Sequence, residues 1–232
     1  SSDVFSIIIG KKLASDIGCS YIADLYDNYE SFGMAKIPFL RSLYRAALVK
    51  SDAITCVSDP LTKFISATVN ARHPVRTIVT TVDQEVFTQG DKLNARRRLG
   101  LPNDATLVGI AGSLGSAHGV DTLYEAFNSL GSRRSDVVLV LAGKPDNSTP
   151  VPKADNIVYL GIFPTDHVAK FYQALDVAII CIRDTEFGRY SFPQKTFEIL
   201  ACKVPVIATR VGAMKDLFKD YSHCLYEEKN AD

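Results

Sequence analysis

The chain has 232 residues, 47% of them hydrophobic, enough to bury one large core or two modest ones. Lys plus Arg and Asp plus Glu both total 26, so no net field favours nucleic acid or a strongly acidic partner, although a local basic cluster can still bind phosphate. No apolar run reaches the roughly 18 to 20 residues of a membrane span, and Cys19, Cys56, Cys181, Cys202 and Cys224 are scattered with no Cys-x-x-Cys pair and no His at metal-ligand spacing, which argues for buried thiols in a reducing compartment and against a zinc site.

The N-terminal stretch, DVFSIIIGKKLASDIGC, has a helical pattern and leads into a strand, SYIADL, whose end carries Asp24 and Asp27. Acids at a strand end are placed to touch a ligand, or equally to cap a helix. Residues 37–49 read as a helix, DAITCVS as a short strand, PLTKFISATV as a helix opened by Pro60, and VRTIVTTVD as another strand. Residues 83–104 are polar, include the run Arg96 to Arg98, and look like a connection between lobes. A regular alternation follows: strands ATLVGIAGS, DVVLVLAG, NIVYLG, DVAIICI and VPVIAT, with helices VDTLYEAFNSLG, DHVAKFYQAL, PQKTFEILAC and the turn AMKDLFK. Continuous Val/Ile/Leu strands separated by amphipathic helices predict an α/β fold with a parallel sheet covered on both faces, its ligands lying beyond the strands' carboxyl ends.

Three loops should meet on that rim. GIAGSLGSAHG, residues 109–119, lets backbone N–H groups approach an anion. The spacing of Gly109, Gly112 and Gly115 also fits a dinucleotide fingerprint, but Lys144 stands where a ribose-binding acid is wanted; glycines that only shape a turn are the third reading. AGKPDN, residues 142–147, offers Lys144 to a phosphate or base, or is a solvated loop. Ser191, Phe192 and Pro193 precede a helix whose first N–H groups, on Gln194, Lys195 and Thr196, form a seat for a pyrophosphate. Lys195 adds a charge, and Glu198, one turn on, can accept hydrogen bonds from vicinal ribose hydroxyls; an ordinary i, i+3 ion pair is the bland alternative.

The series GIAGSLGSAHGVDTLYEAF, VVLVLAG, NIVYLGIFP, VAKFYQALDVAIICI and FPQKTFEILACKVPVIATRVGAMKDL resembles the C-terminal lobe of glycosyltransferase family 4 (group 1), retaining enzymes of the GT-B fold, over residues 77–220. KSDAITCVSDPLTKFI and TIVTTVDQEVF resemble the end of the first lobe and the crossing to the second. The resemblance implies a Rossmann-like C-terminal lobe at 105–232, truncated at its end, a connection at 83–104, and a partial N-terminal Rossmann-like lobe at 1–82. Both ends of the chain look cut, so a fragment of a longer protein is expected.

By the same resemblance the function is metal-independent hexosyl transfer with retention, by front-face departure, from a nucleotide sugar such as a UDP- or GDP-sugar. The acceptor would be a glycan, a lipid-linked molecule or a small molecule, with no nucleic acid and no cofactor. The location would be cytoplasmic, with peripheral attachment at the inner face of the membrane left open. Lys195 and Glu198 would carry the chemistry, Glu198 matching the second Glu of the family's Glu-x7-Glu motif. Donor contacts would come from Gly112, Ser113, His118, Tyr190, Ser191, Pro193, Gln194 and Thr196, with Lys144, Leu160 and Ile162 around the base. Asp24 and Asp27 would lie on the acceptor side. The sequence departs from the family at Tyr190, which replaces the first Glu with Glu186 nearby, and at Ser113 and His118, which replace Arg and Lys. Arg183, Arg189 and Lys195 are the cations available to compensate. A non-catalytic nucleotide-sugar-binding subunit and a nucleotide-sugar epimerase are the alternatives.

Overall fold

In the computed structural model, which describes residues 3–31, 33–70, 72–131 and 133–230, the chain divides into two units. One comprises Ser1–Thr80 with Asp184–Phe192, the other Thr81–Arg183 with Pro193–Asp232.

The first unit opens with helix α1 (Val4–Ile17). Asp3 caps it by accepting from the Ser6 N–H at 2.9 Å, and Gly18 ends it in the left-handed region, φ 71°. Strands β1 (Ile22–Leu25), β2 (Ala53–Cys56) and β3 (Val75–Thr77) form a parallel three-stranded sheet in that order, with helices α2 (Pro38–Val49) and α3 (Asp59–Thr68) between them. VRTIVTTVD was expected to be one strand, but it is one only to Thr77. The β2 strand ends at Cys56, so beyond the Ile78 N–H bond to Cys56 O there is no ladder to continue, and Ile78 and Val79 are exposed. Helix α1 also presents Phe5, Ile9, Leu13 and Ile17, spaced four apart, to solvent beside the edge strand β1.

The second unit begins with α4 (Lys92–Leu99), then β4 (Thr106–Ala111), α5 (Val120–Gly131), β5 (Val137–Ala142), β6 (Ile157–Tyr159), α6 (Thr165–Ala174) and β7 (Val177–Ile180). Helix α7 (Glu186–Tyr190) returns to the first unit. The second resumes with α8 (Lys195–Ala201), β8 (Val206–Thr209), α9 (Gly212–Leu217) and β9 (Leu225–Tyr226). The six strands are all parallel, in the order β6-β5-β4-β7-β8-β9. Every residue of β5 is buried, as a strand covered on both faces requires. Against it pack Leu123, Tyr124 and Phe127 of α5 with Ile110, Leu114 and Ile179, each fully buried aliphatic side chain contributing roughly 1.5–3 kcal/mol.

Helix α4 is held by an ionic knot. Arg96, 3% exposed, donates to Ala174 O, Asn103 O and Ala105 O, and at 2.5 Å to Asp176, which also accepts from Lys92 Nζ and the Leu107 N–H, each at 2.7 Å. Burial works to raise the Asp176 pKa, but these donors outweigh it and hold the carboxyl below its ordinary 3.8. Its stabilisation is therefore complete above that ordinary value and is lost only as pH falls through the lower folded one. Replacing Asp176 by Asn leaves Arg96 buried without its counter-charge and should cost about 3–5 kcal/mol by urea denaturation, with the gap to the parent chain still present at pH 5.

All five cysteines are free. Cys56, Cys181 and Cys202 are buried as expected, but Cys19 is exposed and Cys224 half-exposed, because Cys19 follows the Gly18 cap and Cys224 sits in a short turn before β9. Burial pushes the Cys56 and Cys202 thiols up to about 11, so both stay protonated at neutral pH. Among the described residues no helix is long and apolar enough to cross a membrane.

Candidate functional site

The strand order of the second unit reverses at β4. From it the chain runs outward through β5 and β6 on one side, and through β7, β8 and β9 on the other. The crevice beyond the carboxyl ends of β4 and β7 is the place where an open parallel sheet binds ligands. The segments leading out of these two strands are Gly112–Gly119 and Cys181–Arg183.

Lys195, the first residue of α8, places its ammonium in this crevice and donates to Ala111 O, the last carbonyl of β4, at 2.8 Å. The next residue, Gly112, has φ 126°, and a Cβ there would lie 3.0 Å from Lys195 Nζ, so the lysine occupies space that a side chain at 112 would take. Desolvation holds the Lys195 pKa below its ordinary 10.5, against the opposing pull of Cys181 and Glu198. Burial raises the Glu198 carboxyl above 4.5, with Lys195 opposing. His118 is lowered by burial first and by Lys195 second, which keeps the imidazole neutral at pH 7. One cation, one carboxylate and one neutral imidazole thus influence one another around the switch point.

The glycine loops are stitched together by backbone. Gly112 N–H donates to Ala142 O at 2.9 Å, Leu114 N–H to Lys144 O at 2.9 Å, and Gly143 N–H to Gly161 O at 2.7 Å; the Tyr159 hydroxyl donates to Gly143 O at 2.8 Å. Gly143 has φ 131°, and a Cβ on it would fall 1.7 Å from Gly112 O. Sequence reasoning gave no role to Gly143 and Gly161, although each is the last residue of a strand reading, which is the signal that marks them. Gly109, by contrast, is not a loop residue. It lies inside β4, where a Cβ would meet the Leu175 methyls at 2.7 Å, so the fingerprint spacing of 109, 112 and 115 has a packing origin at its first position.

Other expected residues are placed as follows. Ser113 and the Lys144 side chain are exposed on the rim, Leu160 is half-buried with its N–H on Leu141 O, and Ile162 is 69% exposed. Pro193 O accepts from Thr196 N–H at 3.0 Å, and Gln194 O from Phe197 N–H at 3.1 Å. Thr196 therefore has no free N–H to offer an anion, and its hydroxyl is buried against Met214 Sδ; the tight first turn of α8 accounts for both. The N–H of Lys195, at the first helical position, has no intrahelical partner.

Tyr190 and Ser191 belong to the first unit, where Tyr190 O accepts from Ser58 Oγ, the Tyr190 ring lies 4.6 Å from Phe64, and Ser191 closes α7 by donating to Phe187 O and Gly188 O. Of the cations expected to compensate, Arg183 is engaged with Ser116 O, Glu228 and Asp121, and Arg189 with Asp184. Arg183 thereby fixes the turn that carries His118. Among the described residues Lys195 is the one of the three with no carboxylate within bonding distance.

In the first unit Asp24 accepts from Thr55 Oγ1 at 2.5 Å, and burial pushes Asp27 up to about 6. The folded Asp27 thus binds its proton more tightly than the unfolded one, and its charged form costs stability increasingly as pH rises from 3.8 through about 6. Asp27→Asn should raise stability at pH 7 by up to about 1 kcal/mol after solvent screening, and by nothing below pH 4; chemical denaturation at the two pH values checks this. Among the described residues no group of three or more His, Cys, Asp or Glu is gathered as a metal site would need.

Parallel α/β units of this kind are those of GT-B glycosyltransferases. The sucrose-phosphate synthase of Thermosynechococcus elongatus superposes with a TM-score of 0.78 at 18% identity, over 99% of this chain and 60% of that one. The Anabaena protein HepE, solved with UDP and glucose, superposes at 0.77 and 17%, over 98% and 63%. The family model of group 1 glycosyl transferases matches residues 105–232, and the chain belongs to that family. In sequence it is 32% identical over 155 residues to the D-inositol 3-phosphate glycosyltransferase of Stackebrandtia nassauensis, covering 60% of this chain and 34% of the relative. The chain spans about a third of the length of the curated relatives it matches most strongly.

Proposed function

We propose that the chain is the donor-binding part of a glycosyltransferase that moves a hexosyl group from a nucleotide sugar to an acceptor with retention and without a metal. The observation that carries this reading is the desolvated Lys195 ammonium at the strand-order reversal, beside Gly112 and one turn before Glu198. A dehydrated cation there neutralises the diphosphate as it leaves, which is the charge that grows in the transition state. Glu198, on the same helix, is spaced to accept from the ribose hydroxyls, so the two residues read adjacent parts of one nucleotide. The exposed rim at Ser113, Lys144 and Ile162 faces the base, and the three stitched loops hold it without rearrangement. Neutral His118 donates to a phosphate oxygen and adds no charge. HepE was solved with UDP-glucose as well as with UDP, which favours a uridine nucleotide as the first ligand to try. The acceptor falls to the first unit in this reading.

The test is calorimetric titration of the chain with UDP-, GDP- and ADP-glucose in the presence of EDTA. One of the three should bind in the chelator, with free UDP, GDP or ADP binding at comparable strength. Binding that appears only when magnesium or manganese is restored removes the metal-independent part of the proposal. Binding to none of them removes it all. A nucleotide-sugar-binding subunit without transfer would show the same affinity and no turnover with any acceptor.

A further inference from the structure

The first unit contains a cleft of about 210 Å³ built by the turn after β1, by α2, by α3 and by α7. Its base is an ion pair between a buried carboxylate and a half-exposed guanidinium, the Arg45 side chain being 41% exposed. Glu30, 7% exposed, accepts both arms of Arg45, at 2.7 and 2.6 Å. Beside it Asn28, 4% exposed, uses Oδ1 to accept from the Glu30 N–H, and its side-chain amide nitrogen has no protein partner among the described residues. That amide lines the cleft and is available to donate to a ligand seated there. Arg41 spends only Nε, on Ala35 O at 3.1 Å, and leaves its outer nitrogens to the cleft. Glu186 and the Tyr190 hydroxyl add an acceptor and a donor from α7, and the Tyr190 ring against Phe64 supplies an apolar wall.

The charges decide the ligand class. Arg41 and Arg45 are matched by Glu30 and Glu186, so the cleft has no net charge to hold an anion. What it offers is a dense, mixed set of donors and acceptors around an aromatic wall, in a volume below the roughly 300 Å³ at which pockets begin to take drug-sized molecules. We propose that this cleft binds a single uncharged polyhydroxylated ring, with its hydroxyls paired to the Asn28 amide, Arg41, Glu186 and Tyr190. Resting on the transferase reading above, that ring is the acceptor. The inference differs from what the D-inositol 3-phosphate relative suggests, since a phosphorylated ring would need an unmatched cation here.

Saturation-transfer NMR and calorimetry on the 232-residue chain, with D-glucose, N-acetyl-D-glucosamine and myo-inositol as neutral probes and glucose 6-phosphate as the anionic one, test this. At least one neutral ring should bind, and the phosphate ester should bind ~10-fold more weakly than glucose or not at all. Arg41→Ala should weaken the neutral ring by ~10-fold, and Tyr190→Phe by several fold, the loss expected for one or two hydrogen bonds. Nucleotide titration in parallel reports on the second unit and keeps the two proposals separate: nucleotide binding without ring binding overturns only this one, and ring binding without nucleotide binding overturns only the donor reading. Tighter binding of the phosphate ester overturns the neutral-ring assignment. So does undiminished ring affinity in Arg41→Ala; if circular dichroism shows that variant unfolded, Tyr190→Phe, which deletes one oxygen, decides in its place.

Discussion

Lys195→Met should lower nucleotide affinity by about 10- to 100-fold, the value of one hydrogen bond to a charged group, while leaving the fold intact. The two effects have one origin. The folded Lys195 pKa is below 10.5, so the chain holds this proton less tightly folded than unfolded, and the charged side chain costs stability at neutral pH. Stability contributed by this group rises as pH climbs from the lowered folded value to 10.5. Methionine removes that cost and also the bond to Ala111 O, worth about 1 kcal/mol, so the net change in urea denaturation should stay within about 1 kcal/mol. Bound diphosphate favours the charged lysine, so affinity should decline with alkaline pH before an ordinary lysine would titrate, and calorimetry in buffers of different ionisation enthalpy should detect proton uptake on binding. A variant that unfolds, or one that binds nucleotide as well as the parent, would contradict this account of Lys195.

Gly143→Ala should be the most damaging single methyl in the second unit. The added Cβ would sit 1.7 Å from Gly112 O, a backbone atom that no side-chain rotation can move, and φ 131° is a region that alanine avoids. The loss should exceed about 4 kcal/mol, the range reserved for named steric failures. Gly18→Ala is the control. It also has positive φ, 71°, but nothing within 4 Å of the new Cβ, and should cost only about 1–2 kcal/mol. Equal stability of the two variants would show that the Gly112–Gly143 approach does not matter. Because Gly112 borders Lys195, Gly143→Ala should also lose nucleotide binding at temperatures where it is still folded.

The periodicity of the strands was sufficient to read the second unit. Runs such as VVLVLA, separated by amphipathic helices, are buried throughout, as strands of a covered parallel sheet are. Lys195 and Glu198 were legible because a helix start fixes their separation, and the switch-point geometry then follows from strand order. Helix α4 was read as a polar connection because its one inward cation, Arg96, looks like solvated charge in sequence; its signals, Asp91 as the cap that accepts from the Asn94 N–H and Gly100 in the left-handed region, were present but had no apolar stripe to support them. The ion pairs of Arg183 were not legible for a related reason, since its partners Asp121 and Glu228 lie far from it in the chain. The packing of Tyr190 within the first unit could not be read at all. It depends on the Phe64 ring and Ser58, more than a hundred residues earlier, and local pattern carries no record of such pairings.

That long-range pairing has a consequence for how the chain comes to be folded during synthesis. The first unit is not finished when its sheet is finished at Thr77. It lacks α7 until residue 192 has been made, by which point most of the six-stranded sheet has already been translated. Domains usually fold in the order in which they are made. Here the earlier one must wait for a segment embedded in the later one, and closing so long a loop adds an entropic cost to its last step. The wall of Tyr190 and Phe64 should therefore form late, and a chain interrupted between residues 80 and 184 should retain β1–β3 with an unfinished surface on α3.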